Sequence, residues 1–194
     1  MAVPSPSPAD KAELRAEGLR RRRAFAQSLT PPLRDELEAA LARLVLPHFA
    51  VAGIVAAYHP LRDEISPAPI VAALAPAQRV AFPWFAARDA RMMWREGPAA
   101  EPSPWGVLQP AADAAALSPD VVIVPIVLAD RAGTRIGHGK GHFDRGLAHL
   151  RESRPVVAIG IAWESQIVDD PIPADPWDMH LDAIATPNEW IACQ

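Results

Sequence analysis

Residues 121–147 read VVIVPIVLADRAGTRIGHGKGHFDRGL. The segment opens with an apolar, β-branched run over 121–128, which is long enough for one buried strand. A polar turn follows at 130–134, and residues 143–151 then predict the first turns of a helix. Between turn and helix lie three alternating glycines, Gly137, Gly139 and Gly141. A strand, a glycine-rich loop and a helix together form a place where backbone N–H groups can approach an anion closely.

The glycine loop, Gly-His-Gly-Lys-Gly at 137–141, differs from two familiar nucleotide-binding motifs. It is not a P-loop, because neither Ser nor Thr follows the lysine and the glycine spacing differs. It is not the dinucleotide fingerprint, because the third glycine comes too early and no acidic residue follows at the usual distance. Arg135, Lys140 and Arg145 place three cations around this bare backbone. The pattern therefore favours a loop that contacts phosphate, with a flexible connection as the alternative.

Acidic residues and histidines near this loop leave several interpretations open. Asp144 follows the loop and could hold Mg²⁺ beside bound phosphates, or it could be a carboxylate favoured by the helix dipole. His138 and His142 are four residues apart, a spacing that suits a metal on a helix. The glycines between them disfavour a helix, so solvent-facing histidines are the preferred interpretation over a zinc pair.

Two residues outside the loop are further candidates. Glu64 follows a predicted strand and has Asp63 beside it, although paired acids in a loop are usually solvated. Trp105 lies between Pro104 and Gly106 and could either stack on a flat ring or cover the core.

Composition sets limits on the class of protein. The chain has 194 residues, a hydrophobic fraction of 50% and a charged fraction of 22%, which predict one globular domain over 9–194 after a disordered Pro/Ser tail at 1–8. A net charge of −4 gives no reason to expect nucleic acid or an anionic membrane as partner. The basic run Arg20 to Arg23 is interpreted as a solvated helix face. The single cysteine, Cys193, excludes an internal disulfide and a cysteine metal cluster.

Targeting signals are not apparent in the sequence. The N-terminal segment lacks the apolar core of a signal peptide, and no run of about 18 apolar residues occurs. We therefore expect a soluble, cytoplasmic protein.

The order of elements along the chain predicts the fold class. Helices are expected over 11–28, capped by Asp10, over 33–46, and in short segments at 70–74 and 111–117. Strands are expected at 51–58, 79–84, 91–95, 121–128, 156–162 and 183–186. Alternating strands and helices, several of the strands continuously apolar, predict an α/β three-layer open sandwich with a mainly parallel, mixed, Rossmann-like sheet. Ligands of such sheets collect outside the carboxyl ends of the strands.

At this point the residues resemble a known family, the 5-formyltetrahydrofolate cyclo-ligases, also called 5,10-methenyltetrahydrofolate synthetases. Residues 135–145, Arg-Ile-Gly-His-Gly-Lys-Gly-His-Phe-Asp-Arg, are similar to the family signature Arg-Leu-Gly-x-Gly-x-Gly-Tyr-Tyr-Asp-Arg. The resemblance also covers 11–15, 58–65, 105–110 and 178–186. It spans nearly the whole chain in the order in which the family has these segments.

The resemblance implies an ATP- and Mg²⁺-dependent conversion of 5-formyltetrahydrofolate to 5,10-methenyltetrahydrofolate, with release of ADP and phosphate. The formyl oxygen would be phosphorylated, and the bridging amine of the substrate would then attack the activated carbon. A folate- and nucleotide-binding relative with lost or altered turnover is the alternative. The expected partner is the small-molecule folate, with or without a polyglutamate tail, and we expect a monomer.

The resemblance also assigns roles to residues at matching positions. Lys140 and Arg145 would be catalytic, and Asp144 and Asp178 would hold the metal. Tyr58, Leu61, Glu64 and Trp105 would bind the folate. The nucleotide-binding residues would be Lys11, Arg15, Arg135, Ile136, Gly137, His138, Gly139, Lys140, Gly141, His142 and Phe143.

Three departures from the family pattern stand out. His142 and Phe143 replace the tyrosine pair, Trp177 stands where the family often has histidine, and 66–67 is Ser-Pro.

Overall fold

The computed structural model describes residues 8–193, which form four α-helices and twelve β-strands. The helices are α1 (Pro8–Ser28), α2 (Pro31–Val45), α3 (Ala68–Ala72) and α4 (His142–Ser153). The strands are β1 (Ile54–Ala56), β2 (Arg79–Trp84), β3 (Met93–Glu96), β4 (Glu101–Pro102), β5 (Leu108–Gln109), β6 (Val121–Pro125), β7 (Leu128–Asp130), β8 (Arg135–Ile136), β9 (Val157–Ile161), β10 (Ile167–Val168), β11 (Ala183–Ala185) and β12 (Trp190–Ala192).

Seven strands form the main sheet, in the order β12-β11-β9-β6-β1-β2-β3. The five central strands are parallel to their neighbours, whereas β12 and β3 run antiparallel at the two edges. Two smaller sheets, β10-β7-β8 and β4-β5, complete the described strands. The predicted α/β class with a mainly parallel, mixed sheet is confirmed.

Successive residues of the main sheet pack against helices on opposite faces. In β6, Val121 and Ile123 belong to a core cluster that includes buried residues of α2 and α3. Val122 and Val124 belong to a second cluster that includes buried residues of α4. Side chains alternate across a strand with a period of two, so a strand that is apolar throughout needs cover on both faces. The arrangement is therefore three-layered.

The prediction of one strand over 121–128 is wrong. β6 ends at Pro125, which has no N–H to continue the ladder, and the chain enters β7 in a different sheet. At the junction, Gln166 donates to the carbonyl of Ile126 (2.5 Å), and the Val127 N–H donates to the carbonyl of Ile136 (3.0 Å). The bend redirects the chain toward the glycine loop.

The predicted short helix at 111–117 is also wrong. The Glu96 N–H donates to the carbonyl of Ala115, and the Leu117 N–H donates to the carbonyl of Trp94, both at 2.9 Å. Helix propensity from the alanines is overridden, because the segment supplies backbone partners to the exposed edge of β3.

Helix α1 begins earlier than predicted, at Pro8, so Asp10 lies in its first turn rather than at its cap. The disorder predicted for 1–8 concerns residues that lie outside the described ones, apart from Pro8. No helix in the described range is both long and apolar enough to cross a bilayer. The extent of a single domain over 9–194 stays a prediction.

Gly18 sets how closely α1 approaches the bend before β7. A Cβ at this position would lie 2.7 Å from the carbonyl oxygen of Val127 and 3.0 Å from the Cβ of Leu128. Backbone atoms cannot rotate away as a side chain can, so only glycine permits this contact.

We predict that Gly18→Ala lowers the free energy of unfolding by about 1 to 3 kcal/mol through overpacking, despite a helix propensity gain of about 1 kcal/mol. Gly137→Ala is the matched control, because a Cβ there meets nothing within 4 Å. Urea unfolding monitored by circular dichroism would measure both variants. A Gly18→Ala variant as stable as the control would contradict the close approach of α1.

Candidate functional site

A cavity of about 770 Å³ opens at the carboxyl ends of the central parallel strands. Its walls come from the segments after β1, β2 and β6, from the glycine loop and from α1. Every residue with a predicted role lines this cavity. They are Lys11, Arg15, Tyr58, Leu61, Glu64, Trp105, Arg135, Ile136, Gly137, His138, Gly139, Lys140, Gly141, His142, Phe143, Asp144, Arg145 and Asp178. The structure brings these residues together, and their individual roles stay predictions.

The glycine loop turns sharply and presents its backbone at the start of α4. Gly139 and Gly141 have positive φ angles of +84° and +62°, and Gly141 is the N-cap of α4. The Arg15 Nε donates to the carbonyl of Gly137 at 2.8 Å, and a Cβ on Gly139 would lie 3.2 Å from the guanidinium carbon of Arg15. The first N–H groups of α4 have no partner within the helix. Together with Arg15, they create an environment that favours an anion.

The two predicted metal ligands each accept hydrogen bonds from a cation. The Arg135 guanidinium donates to Asp144 Oδ1 at 2.6 Å and to the carbonyl of Met179, whose own N–H donates to the same Oδ1 at 3.1 Å. Lys11 Nζ donates to Asp175 Oδ2 at 2.7 Å and to Asp178 Oδ2. Burial opposes the charge of Lys11, but the two carboxylates outweigh it and raise the pKa of Lys11.

The carboxylates of Asp144 and Asp178 suit Mg²⁺ only if phosphate oxygens of a bound nucleotide supply further ligands. The hydrogen bonds found for Asp144 and Asp178 in the described chain go to one carboxylate oxygen of each. Among residues 8–193, no group of three or more His, Cys, Asp or Glu residues could hold a metal alone. Mg²⁺ typically uses one or two carboxylates together with substrate phosphates and water. The second oxygens of these two acids match that requirement.

Glu64 is the most enclosed acid of the cavity, with only 4% of its surface exposed. Its Oε1 accepts from Arg22 Nη1 at 3.0 Å and lies 3.2 Å from His138 Nε2, while its Oε2 accepts from the Leu61 N–H at 2.8 Å. Burial favours the neutral acid, but these contacts with His138, Leu61 and Arg22 outweigh it and lower the pKa of Glu64. Glu64 is therefore a buried carboxylate, not a solvated one.

The interpretation of Arg20 to Arg23 as a solvated face is wrong for one member. Arg20 and Arg21 pair with Glu17 on the surface, whereas Arg22 is buried, with 4% exposure, against Glu64. The helical spacing held the signal that was missed, because Arg22 lies seven residues from Arg15 and eleven from Lys11, on the same face of α1.

Aromatic groups surround the opposite side of the cavity. Lys140 Nζ lies 5.3 Å from the ring centroid of Trp105, which also packs against the second core cluster. The His142 ring lies 5.0 Å from Trp105 and 4.7 Å from Phe85, so the prediction that His142 faces solvent is wrong. Burial, then the charges of Arg145 and Lys140, lower the pKa of His142.

Tyr58 lines the cavity, and its predicted role as a substrate contact stays a prediction. Its hydroxyl donates to the carbonyl of Ile65 at 2.6 Å. Burial, followed by the charge of Glu64, raises the pKa of Tyr58 well above its usual range. The hydroxyl therefore braces the 58–65 loop.

Several lining residues were not anticipated from the sequence. His59 stacks on Phe82 with 4.4 Å between ring centroids, and Gln109 exchanges two hydrogen bonds with the backbone of Phe85. No sequence pattern marks these pairs, because they join segments that are distant along the chain. Asp175 was detectable in principle, since it lies three residues before Asp178 in the same proline-rich loop.

A family model described as the 5-formyltetrahydrofolate cyclo-ligase family matches residues 7–187. The chain belongs to the 5-formyltetrahydrofolate cyclo-ligase family. A 5-formyltetrahydrofolate cyclo-ligase from Mycolicibacterium smegmatis is 33% identical over 90 residues, which make up 46% of this chain and 42% of that relative. The aligned stretch thus spans less than half the length of this curated relative.

Two solved structures share the fold of this cyclo-ligase family member. The 5,10-methenyltetrahydrofolate synthetase of Aquifex aeolicus superposes with a TM-score of 0.76 at 23% identity, covering 95% of this chain and 93% of that one. A 5,10-methenyltetrahydrofolate synthetase from Mycoplasma pneumoniae gives a TM-score of 0.67 at 22% identity, covering 92% and 99%. At these identities the likeness establishes the three-dimensional arrangement.

We predict that Arg135→Met lowers the free energy of unfolding by about 2 kcal/mol, because it leaves Asp144 without its buried cation, at a cost reduced by the partial exposure of Asp144. Arg79→Met is the matched control, since the pair of Arg79 with Glu96 is exposed and its loss should change stability little. Urea unfolding measures both. Equal losses from the two variants would contradict a structural role for Arg135.

Proposed function

We propose that the chain catalyses the ATP- and Mg²⁺-dependent conversion of 5-formyltetrahydrofolate to 5,10-methenyltetrahydrofolate, releasing ADP and phosphate. The observation that carries the proposal is the pairing of two environments in one cavity. The cavity is lined by the buried carboxylate of Glu64 and by the glycine loop at the start of α4 with its cations, and the two meet where His138 lies 3.2 Å from Glu64. The family's name supplies 5-formyltetrahydrofolate as one ligand, and we infer ATP as the other from the glycine loop and its cations.

The chemistry consists of two displacements. The formyl oxygen attacks the γ-phosphorus of ATP, the bond from that phosphorus to ADP breaks, and an imino phosphate forms in which the formyl oxygen carries the phosphoryl group. The bridging amine of the substrate then attacks this carbon and loses its proton, and phosphate departs with the oxygen. The difficult part is to turn a poor leaving oxygen into a good one, so the protein contributes mainly positioning and charge neutralisation. No covalent nucleophile from the chain is required.

The phosphate side would be formed by the glycine loop and by cations from two helices. Lys140 lies at the mouth, exposed, where its ammonium can reach a phosphate, and Arg145 follows on the first turn of α4. Lys11 and Arg15 reach the same wall from α1. Asp144 and Asp178 would hold Mg²⁺, which would neutralise charge on the transferring phosphates when bound.

The folate side would be organised by Glu64. A pterin ring presents N–H groups along one edge, and a buried carboxylate is the acceptor that would bind them most strongly. Leu61 and the ring of Tyr58 supply apolar wall on the same loop, and Trp105 supplies a flat surface across the cavity. Polyglutamate binding, the monomeric state and a cytoplasmic location stay predictions.

A second candidate function is a folate- and nucleotide-binding protein without turnover. It is favoured by His142, which replaces a family tyrosine and packs between Phe85 and Trp105. Trp177, 70% exposed at the cavity rim, is a second departure. Calorimetry that shows tight binding of both ligands, without release of ADP, would select this alternative.

We predict that purified protein with MgATP and 5-formyltetrahydrofolate produces the methenyl chromophore, seen as absorbance rising at the border of the ultraviolet and visible ranges. Omission of ATP or addition of a magnesium chelator should abolish the signal. Folate binding with no absorbance change under any pH or metal condition would contradict the proposed reaction.

We predict that Lys140→Ala raises the KM for ATP about tenfold, because a charged hydrogen bond to phosphate is lost. The KM for 5-formyltetrahydrofolate should change little. Arg91→Ala is the control, since Arg91 is exposed and does not line the cavity. Unchanged kinetics with respect to ATP would show that Lys140 points to solvent throughout the reaction.

A further inference from the structure

Helix α1 places three cations along one face, each contacting a different part of the cavity wall. Lys11 donates a hydrogen bond to Asp175 in the loop before β11. Arg15 donates to the carbonyl of Gly137, and Arg22 donates to the carboxylate of Glu64. Spacings of four and seven residues align them along the helix. The first two cations border the proposed phosphate side, whereas Arg22 alone reaches the proposed folate side.

Both residues of the ion pair between Arg22 and Glu64 are buried. Arg22 and Glu64 are each 4% exposed, and their Nη1 and Oε1 atoms are 3.0 Å apart. Arg22 Nη1 also lies 3.5 Å from the carbonyl of Ile126, at the bend between β6 and β7. A second contact on the same guanidinium nitrogen limits how far it can move. The carboxylate of Glu64 is therefore held by the Arg22 guanidinium, and the backbone at Ile126 restrains that guanidinium in turn.

Other charged groups near Glu64 do not replace Arg22. The titratable or charged groups that face Glu64 are Arg22, His138, Tyr58 and Arg34, and Glu38 lies beyond them, near Tyr58 and Arg34. Arg34 donates to the backbone carbonyl of Glu64 at 2.6 Å, but its Nε pairs with Glu38 at 3.0 Å. His138 is 41% exposed on the glycine loop. Among residues 8–193, Arg22 is thus the one permanently charged side chain that donates a hydrogen bond to the carboxylate of Glu64.

The carboxylate retains capacity for a ligand after these contacts. Oε2 accepts one hydrogen bond, from the Leu61 N–H at 2.8 Å. A carboxylate oxygen can accept two, so one acceptor site of Oε2 is left for the cavity that Glu64 lines. Because Arg22 and Leu61 engage different oxygens, they set both the position and the rotation of the group.

We propose that Arg22 is a positioning residue for the folate substrate, which keeps Glu64 ionised and oriented so that it accepts the N–H groups of the pterin. This inference rests on the proposed function, since it deepens the assignment of Glu64. Arg22 acts through Glu64 and does not touch the ligand. Its loss should therefore weaken folate binding and leave nucleotide binding intact.

The test measures the Kd of 5-formyltetrahydrofolate by calorimetry, without turnover, in Arg22→Met, Arg22→Lys, Glu64→Gln and the double variants. Arg22→Met should raise this Kd about tenfold or more at neutral pH, because it leaves a buried carboxylate without its cation. Arg22→Lys should give a smaller rise. In the Glu64→Gln background, both Arg22 substitutions should have no further effect, since coupled residues are not additive. Arg21→Met, on the exposed face of α1, is the matched control.

The pH dependence separates positioning from a general structural role. In the wild type the pKa of Glu64 lies below its ordinary value of 4.5, so Glu64 stays ionised between pH 6 and 8. Without Arg22, burial raises that pKa, so the Kd of the variant relative to the wild type should grow as the pH falls. A merely structural role would weaken binding equally at each pH and also in the Glu64→Gln background.

Several results would overturn the proposal. These are an unchanged folate Kd in Arg22→Met, a weakening that persists in the Glu64→Gln background, or an equal weakening of ATP binding. If Arg22→Met does not fold, Arg22→Lys decides alone through the same comparison with and without Glu64. If no methenyl product forms with the wild type but the coupling is observed, the proposed reaction fails and the Arg22 inference stands.

Discussion

The buried ion pair between Arg22 and Glu64 is the contact on which the proposed folate side of the site depends. Helix α1 is rich in charged residues, and its apolar contacts with the core include the partly buried side chains of Leu14, Leu19 and Phe25. It is held by the close approach of Gly18 and by cations that end on other segments. A buried pair with one partner removed is costly, so α1 and the loop that carries Glu64 stabilise each other. The same pair joins the bend after β6 to the cavity.

Charge neutralisation explains how so many ionic groups coexist around one cavity. Lys11 is matched by Asp175 and Asp178, and Arg135 is matched by Asp144. Lys140 and Arg145, by contrast, are exposed at the mouth. An incoming polyphosphate would therefore contact the exposed Lys140 and Arg145 first. The ion pairs of Lys11 and Arg135 would meanwhile stabilise the cavity wall. Under the proposed function, the second oxygens of Asp144 and Asp178 would hold Mg²⁺ without breaking these pairs.

The sequence predicted the parts of the molecule that rest on local pattern. Apolar β-branched runs identified the central strands, and the alternating glycines identified the loop before α4. The sequence did not predict where Pro125 redirects the chain, because that bend depends on Gln166 and on the bond from Val127 to Ile136. Arg22 was misjudged for a similar reason. Its neighbours in the basic run are exposed, and its helical spacing from Arg15 and Lys11 shows the face that it shares with them but not its partner Glu64.

The most direct test of the proposed site is a crystal structure with 5-formyltetrahydrofolate, Mg²⁺ and a non-hydrolysable ATP analogue bound together. We expect the phosphates to lie on the backbone of Gly137 to Gly141 and the pterin edge to meet Glu64. Arg22 should remain paired with that carboxylate, and the formyl oxygen should face the γ-phosphate. A structure in which the two ligands occupy separate cavities, or in which the pterin binds away from Glu64, would contradict it.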